Sequence, residues 1–336
     1  MPPAVLVLLL TAAVLHAGWN ILLKTADDPL RTAGRGMVVG SAVLIPAATV
    51  GWLVTGRPAI PPEAWAIALA SGSLEALYFS LLSAAYARGD LSLVYPIARG
   101  TAPVLAVAIG IVFLDERLGP VGTVGVALLL IGILSLQRPW AVFRRSSELT
   151  PRMRQAAWLA VATGVTIASY SAVDLNGARI VDPWLYVAMI WGFTAAILLI
   201  GIAVVDRRAR ASVGLALASV AVATETDDVA ILDDSTAGRS AAALDRGERG
   251  SLLRSDDWGR AAVGGLVTVG AYLLVLVAFR FAPLTAVAPV RESAIVLVSG
   301  WGSFRLGEAA TRRAGLGRLA AAAMIVVGAI LLAVEP

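Results

Sequence analysis

The sequence predicts an all-α membrane protein of ten transmembrane helices, arranged as two inverted five-helix repeats. Three observations carry that expectation. Of the 336 residues 58% are hydrophobic and only 15% charged, whereas a soluble domain carries about 25% charged residues. Apolar runs near twenty residues in length recur along the whole chain, and each can cross a hydrocarbon core of about 30 Å at about 1.5 Å per residue. One pattern also occurs twice: Tyr95-Pro96 and Arg99 leading to Glu116, and Pro289 with Arg291-Glu292 leading to Glu308. Unbroken runs rich in Leu, Ala and Val read as helices, since a spanning barrel would show strict alternation.

Taken in order, the first run covers 4–23 and holds His16, Trp19 and Asn20. It has no basic residue ahead of it and no short core with a cleavage site, so it reads as a retained span, not a signal peptide. Lys24 snorkels from its end to the interface. Runs at 34–55, 64–86, 92–114 and 119–136 complete the first repeat, residues 1–137. A basic linker, 138–155, follows. Runs at 157–177 and 184–205 open the second repeat, which occupies 156–205 and 259–336; its remaining runs are 261–281, 284–304 and 314–334.

Between the seventh and eighth runs lies a polar insertion, 206–258, with the pairs Asp227-Asp228, Asp233-Asp234 and Asp256-Asp257. Its apolar piece, Ala211 to Ala223, is too short to span. The segment therefore reads as mobile and aqueous, with room for one surface helix. The aspartates do not have the spacing of a twelve-residue calcium loop and read as solvated, so no metal site is expected.

Five spans per half put the second half into the membrane from the opposite side, the layout of many secondary transporters, with a site near the midplane between the halves. Leaving out the loop between the seventh and eighth spans, 13 basic residues lie in the loops after odd-numbered spans and four, Arg57, Arg117, Arg179 and Arg280, in the loops after even-numbered ones. By the positive-inside rule the first set is cytoplasmic and both termini lie outside. The basic residues orient the spans, so no nucleic-acid partner is expected. Without cysteine, disulfides, thiolate metal sites and thiol nucleophiles are excluded.

Ionisable groups inside spans are the sharpest functional signal, because each is expensive in lipid unless paired or hydrated. Glu75 sits in the third span, Arg99 in the fourth, Asp174 in the sixth, and Arg291 and Glu292 in the ninth. Aligning Pro96 with Pro289 sets Arg99 against Glu292. One reading is a hydrated midplane cavity in which Arg99 or Arg291 grips an anionic group with its two-pronged donor. Glu75 is then the leading candidate for proton coupling, since a carboxyl withdrawn from water can exchange a proton in a working range. The other reading makes Arg99–Glu292 and Arg291–Glu75 structural ion pairs that fix the packing of the halves.

His16 and Asn20 share one helical face; the histidine reads as a packing group or a proton relay. Asn20 is expected to hydrogen-bond across helices, and Trp19 either lines the cavity or packs at a belt. Tyr78, Tyr95 and Tyr170 offer hydroxyls that could orient a polar substrate or simply pack. Tyr170 holds in the second half the place Trp19 holds in the first. Glu116 and Glu308 sit at span ends, where loop and dipole roles explain them.

In these residues the chain resembles the drug/metabolite transporter superfamily, EamA-type. The likeness is carried by His16-Ala-Gly-Trp19-Asn20 with Lys24, by Gly89-Asp90, Tyr95-Pro96 and Arg99-Gly100 leading to Glu116, by Tyr170-Ser-Ala-Val-Asp174 with Gly177, and by Pro289 and Glu292 leading to Glu308. It extends over everything except 206–258. The insertion departs from the family, as does the arginine distribution, since relatives are described with cytoplasmic termini.

The resemblance implies ten spans in two repeats and a secondary active transporter. The expected function is movement of a small polar metabolite, an amino acid or similar amphiphilic anion or zwitterion, across the cytoplasmic membrane by alternating access. Coupling would be to protons or by exchange, with export the favoured direction. The substrate-binding residues are expected to be Trp19, Asn20, Tyr78, Tyr95, Arg99, Tyr170, Arg291 and Glu292, with Glu75, His16 and Asp174 coupling protons. Neither cofactor nor metal is expected. The partners are a small-molecule substrate and the lipid bilayer, for a monomer or homodimer. The alternatives are a lipid or lipid-precursor flippase, or a scaffold acting through 206–258. A membrane enzyme is disfavoured by one histidine, no cysteine and no metalloprotease spacing.

Overall fold

The structure, a computed structural model, describes residues 1–24, 26, 28–89, 91–137, 150–225, 258–293 and 312–334. Among the described residues there are ten helices and no strand. In chain order they are α1 (Pro3–Lys24), α2 (Pro29–Val54), α3 (Pro62–Tyr86), α4 (Leu91–Phe113) and α5 (Pro120–Gln137), then α6 (Pro151–Ile180), α7 (Pro183–Glu225), α8 (Trp258–Phe279), α9 (Leu284–Arg291) and α10 (Arg312–Val334).

Proline sets most of the starts. Six helices, α1, α2, α3, α5, α6 and α7, begin on a proline, which lacks only an N–H that a first turn leaves unbonded and whose φ already suits a helix. Two starts also carry side-chain caps. Asp28 accepts from the Arg31 N–H at 3.0 Å and Thr150 from the Met153 N–H at 3.3 Å, each satisfying one orphan donor. The Asp28 cap explains why α2 begins at Pro29, five positions before the apolar run at 34.

Each expected span falls on a helix. Among the described residues six segments are long and apolar enough to cross a membrane: Leu30–Val54, Pro62–Tyr86, Leu93–Phe113, Pro151–Ile180, Pro183–Arg208 and Trp258–Phe279. Pro3–Trp19, Pro120–Leu136 and Ala320–Val334 are shorter and apolar. Of the ninth span, α9 is its first eight residues; residues 294–304, and Arg305 and Glu308 beyond them, lie outside the described residues. Large apolar side chains stand exposed on the bundle's outside, Phe113 at 78% and Ile200 at 64% among them, a surface suited to lipid and not to water.

The seventh span is where the sequence reading and the structure part. The run was expected to end at 205 with a polar insertion after it, yet α7 continues without a break to Glu225 and is 43 residues long. A helix leaving the membrane keeps its backbone bonds internal, and the Ala-, Leu- and Arg-rich stretch after Asp206 favours it. Residues 226–257, with all three aspartate pairs, lie outside the described residues.

Packing follows a two-fold pattern. α5 packs on α10, α4 on α9 and α2 on α7, each pair joining a helix to its own counterpart in the other half. Three further sets are matched: α3 with α6 answers α8 with α1, α3 with α7 answers α8 with α2, and α4 with α6 answers α9 with α1. The start of α1 meets the end of α10, the Met1 amino group donating to the Leu332 carbonyl at 2.8 Å.

Contacts between loops sort the same way. On the arginine-rich face Arg31 pairs with Asp206 at 2.7 Å, Arg88 donates to Gln155 at 3.1 Å, and the Arg35 guanidinium stands 5.9 Å from the Trp258 ring centre. On the opposite face Arg280 pairs with Asp182 at 2.8 Å, and Glu116 reaches the start of α9.

A buried ionic cluster between the two halves

Arg99 is carried into the bundle by α4, one helical turn after Pro96. Pro96 supplies no N–H to the helix ladder and bends the chain locally. Across from it α9 ends at Arg291, with Pro289 inside it and Glu292 at its C-terminal boundary. The Arg99 guanidinium donates to Glu292 Oε1 at 3.1 Å and Oε2 at 3.2 Å. Arg291 donates from Nε to the same Oε1 at 3.3 Å and from its terminal nitrogen to Ser171 Oγ of α6 at 3.2 Å. All three charged groups are buried. One carboxylate thus serves two guanidiniums, and the cluster joins α4 of the first half to α6 and α9 of the second. Such burial is tolerable only because each charge has a partner.

Two further carboxyls sit nearby on α3 and α6. Glu75 accepts from the Thr194 hydroxyl of α7 at 3.1 Å. Asp174 accepts from the Tyr186 hydroxyl at 3.0 Å and also from the Tyr272 hydroxyl. Tyr272 lies against Glu75 as well. Three glycines let these partners close. Gly177 leaves room for the Tyr186 ring, and Gly72 brings α3 against α7, where a Cβ would stand 3.1 Å from the Ile190 oxygen. At Gly110 a Cβ would stand 2.5 Å from Glu116 Oε2.

That last approach seats Glu116. Asp115 turns the chain with φ of 51°, a conformation short polar residues tolerate. The Glu116 carboxylate then accepts from the backbone N–H groups of Leu284 at 2.7 Å and Thr285 at 2.9 Å. It caps the first turn of α9 from the other half of the chain, an anion at the positive end of a helix.

At the centre is a hollow of about 20 Å³ lined by His16, Trp19, Met37, Glu75, Tyr78, Phe79, Arg99, Tyr170, Trp191, Thr268 and Tyr272, from seven helices. It has room for about one water molecule. One of the two readings of the sequence is a hydrated midplane cavity; here aromatic side chains take up most of that space. Tyr78 and Tyr170 meet edge to face with ring centres 6.1 Å apart, Tyr170 and Tyr272 at 6.2 Å, and Trp191 and Tyr272 at 5.9 Å.

Of the expected site residues, His16, Trp19, Glu75, Tyr78, Arg99 and Tyr170 line the hollow. Arg291, Glu292 and Asp174 stand one contact behind it. Tyr95 packs half-buried against the apolar core and does not line it. The side chain of Asn20 lies outside the described residues. His16 Nδ1 donates to the Ala12 carbonyl at 3.1 Å. The anticipated Arg291–Glu75 pair does not form, because Arg291 turns to Glu292 and Ser171 and Glu75 to Thr194.

The sequence reading missed Trp191, Thr194, Tyr186, Tyr272 and Ser171. Their one signal was a polar atom in an otherwise apolar run. Trp191 is 1% exposed and its Nε1–H has no acceptor among the described residues. Nor do those residues hold any group of three His, Asp or Glu side chains placed to bind a metal.

Residues 3–137 match the model of the EamA-like transporter family. No curated protein matches the chain. A solved structure described only as a crystal structure of a protein aligns over 98% of this chain and 96% of its own, at 19% identity and a TM-score of 0.61; that likeness is one of fold.

Proposed function

Residues 3–137 match the EamA-like transporter family, and from that premise we propose that the chain is a proton-coupled secondary transporter of a small zwitterionic metabolite such as an amino acid. The observation that carries this reading is the bipolar charge around the central hollow. One side holds two guanidiniums, Arg99 and Arg291, on a single carboxylate, Glu292. The other side holds two carboxyls, Glu75 and Asp174, whose partners are hydroxyls. A carboxylate suits the first side and an ammonium the second.

Charge counting adds the proton. Around the hollow two guanidiniums face three carboxyls, so one bound proton balances that cluster, and Glu75, which lines the hollow without an ion pair among the described residues, is where a proton would be exchanged. Trp19, Tyr78 and Tyr170 form the wall against the substrate's apolar part, and Trp191 offers a free donor. Access would alternate by rocking of the two halves about the pairs that join each helix to its counterpart, with export as the direction.

The test is reconstitution in liposomes with counterflow of amino acids and of matched anions and cations, with and without a pH gradient. Accumulation of a zwitterion that responds to the gradient is expected. Counterflow confined to anions, or indifferent to pH, overturns the reading.

A further inference from the structure

Helices α3 and α7 touch at mid-depth and part toward the arginine-rich face. At Gly72 a Cβ would stand 3.1 Å from both the Ile190 oxygen and the Thr194 nitrogen, so the two backbones are in contact there. Beyond that point they diverge around a groove of about 1070 Å³, with the start of α2 at its outer end.

The walls of the groove are apolar. On α3 they include Ser73, Leu77, Ser80 and Ala84, a single stripe at helical spacing. The two serines are already bonded within their own helix, Ser73 to the Leu69 carbonyl at 2.7 Å and Ser80 to the Ala76 carbonyl at 2.8 Å. The α7 wall includes Gly201 and Val205. Leu77 is 47% and Val205 62% exposed, so the rim runs into the membrane-facing surface.

Length and charge then specify the occupant. From Ser73 to Ala87 the α3 wall rises about 21 Å, about half of a bilayer counted with its headgroups. The α7 stripe of Gly201 and Val205 continues one turn on to Arg208, which is exposed, with Arg207 beside it. The charged residue of the groove's own lining is Asp28 at its outer end, a carboxylate already held by the backbone N–H and Nε of Arg31; an apolar slot one leaflet deep with Arg207 and Arg208 one turn beyond it matches one acyl chain and a phosphate. A water-soluble solute would find few free polar partners in it. The groove is also separate from the central hollow: Ala76 faces the groove and its neighbour Glu75 the hollow.

We propose that this groove binds one anionic phospholipid, an acyl chain lying between α3 and α7 and the headgroup phosphate on Arg208. A lipid seated there lies against the back of the helix that carries Glu75, and holds α3 and α7 apart on the arginine-rich side. The inference rests on the bundle lying in a membrane and not on the transported solute.

The test is native mass spectrometry of the full-length protein in detergent, titrated with phosphatidylglycerol and, separately, with phosphatidylcholine of the same chains. Wild type is expected to take up one phosphatidylglycerol with affinity about tenfold above phosphatidylcholine. Gly201→Trp fills the groove from a position with nothing within 4 Å of a new Cβ, and is expected to weaken the first bound lipid about tenfold. Arg208→Gln is expected to bring the two lipids within about twofold of each other. Ile200→Trp, on the neighbouring outward surface, is expected to change neither. Leu77→Trp repeats the groove test if Gly201→Trp melts below wild type. Equal affinity for the two lipids in wild type, or undiminished binding in both groove-filling variants, overturns the proposal.

Discussion

Arg99 and Glu292 lie 193 residues apart in the chain and 3.1 Å apart in the fold. Because Arg291 shares the same carboxylate, Glu292 is the joint of the cluster. Glu292→Gln removes the carboxylate that the two buried guanidiniums share, and is expected to destabilise the protein by about 3–5 kcal/mol. Arg99→Gln leaves Glu292 its second partner and should cost less. Thermal unfolding in detergent measures both; equal losses would remove Glu292 from that place.

Glu75 separates coupling from folding. Glu75→Gln keeps the acceptor for Thr194 and removes the titrating group. Counterflow is expected to persist and to lose its dependence on pH, with a melting temperature near wild type. A retained wild-type pH profile excludes Glu75 from the coupling role.

Asp174 is held by two phenols from different helices. Tyr186→Phe and Tyr272→Phe are each expected to cost about 1.5–3 kcal/mol, the range for hydrogen bonds to charged groups. Since both phenols serve one carboxylate, the double variant should fall short of the sum. Chemical unfolding of the two single variants and the double variant measures the coupling.

The link between Arg31 and Asp206 ties the start of α2 to α7 beside the outer end of the groove. Both side chains are 16% exposed, and a pair at that depth contributes about 1 kcal/mol, about fivefold in an opening equilibrium. The chain has no cysteine, so one thiol placed at Ser80 reports cleanly. Arg31→Gln is expected to speed its maleimide labelling about fivefold, and high salt to narrow the difference.

Glu116 fixes the first turn of α9. Glu116→Ala should cost about 1–2 kcal/mol, as loss of a helix cap does. Gly110→Ala, whose Cβ would displace the same carboxylate, should give a similar loss, and the two together little more than one.

Much of this fold was legible because lipid admits few solutions. Charge scarcity and run length located the helices of the described residues, and the paired Pro96 and Pro289 aligned the halves closely enough to set Arg99 opposite Glu292. What sequence could not supply was which apolar-run residues converge. Tyr186 and Tyr272 matter because α7 and α8 both pack on α6 at Asp174, a fact of tertiary placement. The Arg291–Glu75 pair failed because Ser171 and Glu292 lie nearer to Arg291. The end of α7 was misplaced because the chain turns polar at Asp206 while its helix propensity continues.

That overrun has a mechanical consequence. From Thr194, beside the Gly72 contact, to Glu225 the helix extends about 46 Å, so a swing of 10° about that contact sweeps its far tip through roughly 8 Å. α7 is thus a lever that turns small tilts within the bilayer into displacements a fluorescent ruler between Glu225 and the end of α5 could read in real time.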